Sequence, residues 1–524
     1  MAPLHDTHSH AHEEDVPGTF NLQAEEGAET GYGQALFPVP SADPNDPLQW
    51  SYFKKAMILA IVSLYSFLAN TSLLGPAVYI GIFIETFGVD QTAASGLISY
   101  PNLSFGFGAL LLVPLFIKIG RRPVLILSML LYCGGLLGCA LSNSYGSLMA
   151  CRVIHTLGSG ICEVIPIQLV NDIFFIHERG KKLGWYTVCL CLGSTAPLYA
   201  GYMLAGGYEW RLFFWVEFAF GCALLVLTFI FVEETRYHRV LPADPATSSV
   251  DVDGKEDVKH IRDVEEMQIP PRKTRMQQLS LWSGIDHNAH FFKIALRSFT
   301  YYLVPVALWV NTTYGIYIGL GALTFNYTFP MKIVQPPYNW SPTNSGLIAV
   351  ASAIGFFLAI PLTPSSDILA ARLTKKNGFI REAEMRLGAL LPPMIIAPLG
   401  LVVYGLTAEY DLHWIGYFFG VAMCQWGAYF YFTFTMAYAI DSYSANLPEL
   451  LIATNLGKSA ISFGMGYGVL DWILERGYAR VISGIYMAVM LVNNLVVIIF
   501  MIWGKRIRIF MANSWVGRLH TKSA

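Results

Sequence analysis

One largely apolar run, residues 151–176, carries the side chains best suited to chemistry. They are Arg152, His155, Glu163 and Asp172. The run has the length and composition of a membrane-spanning helix, and an ionisable group is costly in hydrocarbon unless it faces a polar cavity. On such a helix Arg152 and Glu163 share nearly the same face, about 16 Å apart at roughly 1.5 Å per residue. The pattern therefore predicts one wall of a polar path.

Two carboxylic acids are candidates for binding a proton. Glu163 lies near the middle of its helix, and Glu217 lies in another apolar run. A carboxyl group removed from water can take up and release a proton near neutral pH, or pair with a cationic ligand. We predict Arg152, Glu163 and Glu217 as proton-coupling residues. The alternatives are that Arg152 only binds backbone carbonyls, that each Glu is neutral and hydrogen-bonded to a neighbouring helix, and that Asp172 pairs with Arg179 or Lys182.

A second group of polar and aromatic residues lies in the later apolar runs. Lys458 lies deep in one of them, so we expect it to pair with an acidic group across a cavity. Aromatic faces suit flat or cationic organic molecules, although they also serve as packing. The predicted ligand-binding set is His155, Glu163, Glu217, Trp309, Tyr314, Tyr317, Gln425, Trp426, Tyr429, Asn455 and Lys458.

Composition sets the class of protein. Of the 524 residues, 54% are hydrophobic and only 13% are charged, and several runs contain about twenty apolar residues. The chain is predicted to be a polytopic α-helical protein of the lipid bilayer. No nucleotide-binding loop, metal-ligand spacing or nucleophile elbow is present, so we expect no enzyme activity, no cofactor, no metal site and no nucleic-acid partner.

Twelve predicted spans fall into two sets of six. We expect a disordered tail over 1–48, a six-helix half over 49–232, a linker over 233–297, a second six-helix half over 298–503 and a basic tail over 504–524. Within the linker we expect a short surface helix near Leu281 to Phe292. The predicted spans are 56–81, 93–117, 123–142, 146–173, 183–206, 209–232, 299–325, 343–364, 386–407, 413–438, 449–472 and 479–503. Such a duplication puts the ligand near mid-membrane between the halves.

Lys and Arg concentrate in alternate loops. This bias predicts that both termini and the long linker are cytoplasmic. It places the sequon Asn326-Tyr327-Thr328 on the outer side, near the end of the seventh span, where Asn326 is a candidate for glycosylation.

Local motifs resemble the major facilitator superfamily. Lys118-Ile119-Gly120-Arg121-Arg122 is similar to its cytoplasmic loop signature, with Ile117 in place of the usual Asp, and Asp367 and Arg372 stand at the same spacing in the second half. Arg152-Val153-Ile154-His155-Thr156-Leu157-Gly158-Ser159-Gly160 resembles the fourth-span motif of proton-coupled members. The phrases DPNDPLQW, NDIFFIHERGKK and EETRY resemble the fungal twelve-span drug:proton antiporters and their organic-cation and polyamine relatives. The resemblance implies gating roles for Gly120, Arg121, Arg122, Asp367 and Arg372.

These observations predict a monomeric, proton-coupled secondary transporter of the plasma membrane. We expect it to export a small amphipathic organic compound, such as a drug, toxin or secondary metabolite, by alternating access. Two alternatives stay open at this point. One is proton-coupled uptake of an organic cation or polyamine, and the other is a membrane sensor that transports nothing.

Overall fold

The computed structural model describes residues 19–21, 43–235, 274, 277, 279–280, 284–287, 289–443, 447–516 and 519. Most of the predicted N-terminal tail, most of the predicted linker and the end of the C-terminal tail lie outside the described residues. The same is true of Leu281, the first residue of the predicted surface helix.

Long helices in two sets of six make up almost all of the described chain. Backbone groups in lipid must be satisfied internally, which is why apolar runs of this length become helices. We number the helices spans 1 to 12. Spans 1 to 6 form the first half and are Tyr52–Phe87, Gln91–Ile119, Arg121–Leu141, Tyr145–Ile173, Lys182–Ala205 and Arg211–Phe231. Spans 7 to 12 form the second half and are Pro305–Ile333, Thr343–Lys376, Ala383–Glu409, Ile415–Ser442, Leu447–Tyr467 and Ala479–Asn513. The predicted all-α architecture with two six-helix halves is confirmed.

Two of these helices are more polar than the others. In the described chain, ten are long and apolar enough to cross a membrane by composition alone, whereas spans 10 and 11 are as long but carry residues such as Gln425 and Lys458. Most side chains of both helices are buried against other spans. Polar residues are tolerated there because they face the bundle interior and not lipid.

Local signals set the ends of the first spans. Gly88 has a φ of 62° and ends span 1 in the left-handed conformation that glycine adopts without strain. The Asp90 side chain accepts a hydrogen bond from the backbone N–H of Ala93 at 3.0 Å and so caps span 2. We call the membrane side with Tyr52 and Asn513 the terminal face, and the side with Gly88 and Asp90 the distal face.

Spans 4, 5 and 7 are irregular near their middle. Span 4 is broken between Ser159 and Val164, and span 5 is broken between Gly193 and Pro197. Pro197 has no N–H to donate, so the helical ladder cannot continue through it. Span 7 contains a π-helical turn over Tyr317–Leu323. Irregular backbone at membrane depth is tolerated where it lines a cavity, so these breaks indicate where a cavity lies.

Two short elements lie on the terminal face. Strand β1, Thr19–Asn21, pairs antiparallel with strand β2, Ile380–Glu382, between spans 8 and 9. Residues 19–21 and 43–48 are the parts of the predicted tail, 1–48, that the structure describes. The predicted surface helix is also displaced, because residues 284–287 are not helical and the helix that forms is Phe291–Thr300. We call it the surface helix.

The two halves approach closely where span 2 meets span 11. A Cβ atom at Gly106 would lie 2.8 Å from the Cβ atom of Ser459 and 3.1 Å from the carbonyl oxygen of Asn455. Only a glycine therefore allows this separation of the two helices. The contact lies one helical turn from Asn102, whose amide donates to the Ser462 hydroxyl at 2.7 Å.

Gly106→Val is expected to lower the free energy of unfolding by about 1–3 kcal/mol, because the new side chain overpacks this contact. Thermal unfolding of the purified protein in detergent measures the change. Gly134→Val is the matched control, because a Cβ atom at Gly134 meets nothing within 4 Å. Equal melting temperatures for the two variants would show that spans 2 and 11 are not held in contact.

Candidate functional site

A cavity lies between the two halves at the level of the helix breaks. Four spans of each half contribute to its wall. The first half supplies Asn70, Leu73, Leu74, Asn102, Phe105, Glu163, Leu190, Cys191 and Ser194, and the second half supplies Tyr314, Tyr317, Ile318, Ala322, Phe356, Gln425, Phe432 and Lys458. We call it the central cavity.

An ion pair joins the halves at this cavity. The Lys458 ammonium on span 11 donates to the Glu163 carboxylate on span 4, and the two residues are 295 positions apart in sequence. Glu163 is 8% exposed and Lys458 is 3% exposed. They are the charged residues among those that line the cavity, so its net charge is zero while both are ionised. Lys458 also lies 5.2 Å from the centre of the Phe105 ring.

Glu163 is positioned by the break in span 4. It lies in the turn between the helical segments Tyr145–Ser159 and Val164–Ile173. The Tyr186 hydroxyl donates to its backbone carbonyl at 3.3 Å, which supplies one of the bonds that the interrupted helix lacks.

Two further cavities lie toward opposite faces of the bundle. The first adjoins the central cavity, with which it shares Glu163, Tyr314 and Phe432, and leads toward the terminal face. The second is separate and lies at the distal face between the ends of spans 1 and 7. Tyr327 forms part of its wall and exchanges a hydrogen bond with Ser99 at 3.1 Å. Glu163 therefore borders space that leads toward the terminal face.

Three amides face the central cavity. The Asn70 amide donates to the Leu190 carbonyl at 3.0 Å, and the Asn102 amide donates to Ser462. Gln425 is 5% exposed and makes no hydrogen bond within the described part of the chain. A buried amide without a protein partner is costly unless water or a ligand satisfies it. Asn70 and Asn102 were not among the residues predicted from the sequence, although an amide in an otherwise apolar helix is a usable signal.

Tyrosines of span 7 form the aromatic part of the wall. The Tyr314 hydroxyl donates to the Phe432 carbonyl at 2.5 Å. Tyr317 stacks on Tyr431 with ring centres 5.0 Å apart, and its hydroxyl accepts from the Asn494 amide at 3.0 Å. Because both hydroxyl groups already have partners, these residues offer mainly their ring surfaces to a ligand.

Of the predicted residues, the structure brings Glu163, Tyr314, Tyr317, Gln425 and Lys458 together around the central cavity. Asn455 lines the cavity that leads toward the terminal face. Its side-chain oxygen is buried without a partner in the described chain.

Arg152 does not line these cavities, which corrects its predicted position. Its guanidinium donates to three backbone carbonyls, those of Leu97 at 2.5 Å, Ser72 at 3.1 Å and Leu73 at 2.9 Å. The carbonyls of Ser72 and Leu97 would normally bond to the N–H four residues later, where the chain has Pro76 and Pro101. Arg152 therefore replaces donors that these prolines lack, which is the structural alternative considered for this residue.

Glu217 and His155 are also buried inside the first half, away from the cavities. The Glu217 carboxylate accepts hydrogen bonds from Thr71 at 3.0 Å, from Tyr132 at 3.3 Å and from Tyr199. His155 is 0% exposed and its ring lies 6.1 Å from the Tyr132 ring. Neither side chain lines any of these three cavities, so this structure does not place them for the ligand contact predicted from the sequence.

Three predicted aromatic residues pack inside the second half instead of facing the cavities. The Trp309 indole donates to the Asn493 carbonyl at 3.1 Å. Tyr429 shares a hydrogen bond with Thr363 at 2.7 Å, and the Trp426 ring lies 4.8 Å from the Phe430 ring. In this structure the three residues take part in helix packing and line none of the three cavities, so it does not place them for the predicted ligand contact.

On the terminal face, each half has an Arg–Asp ion pair that joins two of its spans. In the first half Arg121, at the start of span 3, pairs with Asp172 at the end of span 4. This corrects the expectation that Asp172 pairs with Arg179 or Lys182. In the second half Arg386, at the start of span 9, pairs with Asp441 at the end of span 10 at 2.6 Å.

The other residues of the loop signature have separate positions. Asp367 also pairs with Arg386, at 2.6 Å, whereas Arg372 is exposed and forms no ion pair in the described chain. Gly120 has a φ of 119°, a conformation that favours glycine, and Arg122 donates to the Phe229 carbonyl at 2.7 Å.

The predicted glycosylation of Asn326 does not fit the structure. Asn326 lies inside the second helical part of span 7, Thr324–Ile333, and is 9% exposed. A glycan needs an exposed amide on a loop, so this prediction is corrected.

Two six-helix halves around a central cavity, whose mainly apolar wall carries one ion pair, are the architecture of a membrane transporter. The chain belongs to the Major Facilitator Superfamily, whose sequence profile matches residues 59–469. It is similar to fungal members of that family. It is 28% identical to the MFS transporter fsa7 of a Fusarium species, over 79% of this chain and 77% of the relative. It is 26% identical to the MFS-type transporter penM of Penicillium rubens, over 89% and 88%.

Solved structures show the same fold. The xylose transporter XylE from E. coli, in a partially occluded inward-open conformation, gives a TM-score of 0.53 at 14% identity, covering 86% of this chain and 99% of that chain. The human organic anion transporter MFSD10 gives a TM-score of 0.51 at 16% identity, covering 84% and 99%. At this identity the likeness concerns the fold alone.

Proposed function

We propose that the protein is a monomeric, proton-coupled secondary transporter that exports a small amphipathic organic compound by alternating access. The observation that carries the proposal is the Glu163–Lys458 ion pair, which joins the two halves across the central cavity. The membrane is the plasma membrane, and the terminal face is cytoplasmic, in agreement with the Lys and Arg residues of its loops.

The ion pair provides a physical route to coupling. While both groups are charged, their attraction holds span 4 to span 11. A proton on Glu163 removes that attraction, and so does a ligand that takes the place of one partner. Proton and ligand then compete for the same carboxylate, and binding of either one shifts the equilibrium between the two open forms.

The wall of the cavity suits an amphipathic ligand. Phe105, Phe356, Phe432 and the tyrosines of span 7 offer apolar surface, while Gln425 offers a donor and an acceptor without protein partners in the described chain. This combination of apolar walls and few polar groups is typical of sites for small organic molecules.

Uptake of an organic cation receives less support than it did from the sequence. Two carboxylates in apolar helices, Glu163 and Glu217, favoured that alternative. Glu217 is enclosed by three hydroxyl donors inside the first half, and the remaining carboxylate, Glu163, is already paired with Lys458.

Rhodamine 6G movement into inside-out vesicles tests the proposal. Imposing an inside-acid pH gradient is expected to drive dye accumulation, and a protonophore should abolish it. Glu163→Gln should reduce the gradient-driven part at least about tenfold, because interactions with a charged group contribute roughly 1.5–3 kcal/mol. Glu85→Gln, on an exposed residue of span 1, is the matched control. Dye accumulation that does not depend on the pH gradient, or that is unchanged in Glu163→Gln, would contradict the proposal.

A further inference from the structure

Strand β2 offers a backbone edge on the terminal face of the second half, and the chain's own N-terminal tail occupies that edge. The pairing is antiparallel, with Thr19 opposite Glu382, Phe20 opposite Arg381 and Asn21 opposite Ile380. An exposed strand edge binds extended peptides because its N–H and C=O groups are unpaired until a strand is added.

Side chains reinforce the backbone pairing. Thr19 is 7% exposed, and its hydroxyl accepts a hydrogen bond from the Arg508 guanidinium at 3.4 Å. Arg508, on span 12, is 1% exposed and also donates to Glu384 at 2.7 Å and 2.5 Å. The buried guanidinium of Arg508, which the Glu384 carboxylate holds in position, thus donates a hydrogen bond to a small hydroxyl side chain at the position of Thr19.

The β2 segment also connects several spans of the second half. Glu382 pairs with Lys505 of span 12 at 2.8 Å, and Arg381 lies 3.9 Å from Asp441 of span 10. Span 10 carries Gln425 and Phe432 of the central cavity. A peptide on this edge therefore braces the terminal ends of helices that form the cavity wall.

We propose that the edge of β2 is a peptide-binding site for the chain's own tail, and that its occupation by Thr19–Asn21 restrains opening of the central cavity. The ligand is an extended segment with a small hydroxyl residue at the position of Thr19. The contact lies on the terminal face of the second half. Release of the tail therefore regulates opening of the central cavity independently of proton binding and ligand binding.

A disulfide cross-link in the full chain tests the site. Residues directly opposite on antiparallel strands have Cβ atoms about 4.5–5.5 Å apart, close enough for a disulfide after small adjustment. Thr19→Cys with Glu382→Cys should therefore cross-link under mild oxidation. Thr19→Cys with Arg381→Cys is the matched control, because adjacent residues of a strand point to opposite sides. Failure of the first pair, or equal yields for both pairs, would overturn the site.

A second experiment tests whether the bound tail restrains opening of the central cavity. Cys191 lines the central cavity, whereas Cys139 is 0% exposed and lies outside it. With the tail cross-linked, modification of Cys191 by N-ethylmaleimide, followed by mass spectrometry, should slow at least about fivefold relative to the reduced form. Phe20→Pro, which removes a strand N–H, should speed it, and Ala24→Pro should not. A Cys191 rate unaffected by the cross-link and by Phe20→Pro would overturn the restraint.

Discussion

Neutralising either member of the Glu163–Lys458 pair alone is expected to lower the free energy of unfolding by about 3–5 kcal/mol, because the remaining charge is buried without its partner. Neutralising both, in Glu163→Gln with Lys458→Gln, should cost much less, because no uncompensated charge is left. This pattern would identify the pair as the electrostatic contact between the halves.

Melting temperatures of the purified protein measure the two single variants and the double variant. A double variant that is as unstable as either single variant would contradict a direct pair.

Arg152→Ala is expected to be the most damaging substitution outside the cavity. It leaves the carbonyls of Ser72 and Leu97 without a donor, at about 1–3 kcal/mol for each buried unsatisfied group, and removes the hydrogen bond to the Leu73 carbonyl. The protein should lose most of its folded, monodisperse fraction on size-exclusion chromatography. Arg152→Lys should recover part of it, since an ammonium still donates to carbonyls but lacks the planar fork of a guanidinium.

Arg372→Ala is the matched control for this prediction, because Arg372 is exposed and unpaired in the described chain. It should leave the folded fraction unchanged. If Arg152→Ala instead folds normally and loses only its response to pH, then the role in proton coupling predicted from the sequence is correct and the structural role is not.

Hydrophobic runs were enough to predict the architecture. A run of about twenty apolar residues has few options in lipid besides a helix, so the two sets of six spans followed from composition alone. The motifs around Gly120 and Arg152 also indicated the family from the sequence alone, because each motif consists of residues that are adjacent in the chain.

Residue type also identified part of the site. A charged group in the middle of an apolar helix must face something polar, which correctly drew attention to Glu163 and Lys458. Glu217 and Arg152 also have polar partners, but these partners lie inside the first half and not in a cavity. Three hydroxyl groups surround the Glu217 carboxylate. Carbonyls that lack a helical donor because of prolines accept the hydrogen bonds of Arg152.

The choice of partner was decided only by the tertiary structure. Asp172 has basic residues close to it in sequence, yet it pairs with Arg121, 51 positions away. Glu163 meets Lys458 because the break in span 4 turns the carboxylate toward span 11. Helical periodicity tells which residues of one helix share a face, but the rotation of each helix depends on close packing with all of its neighbours. That information is distributed over the whole chain and is not contained in any single segment.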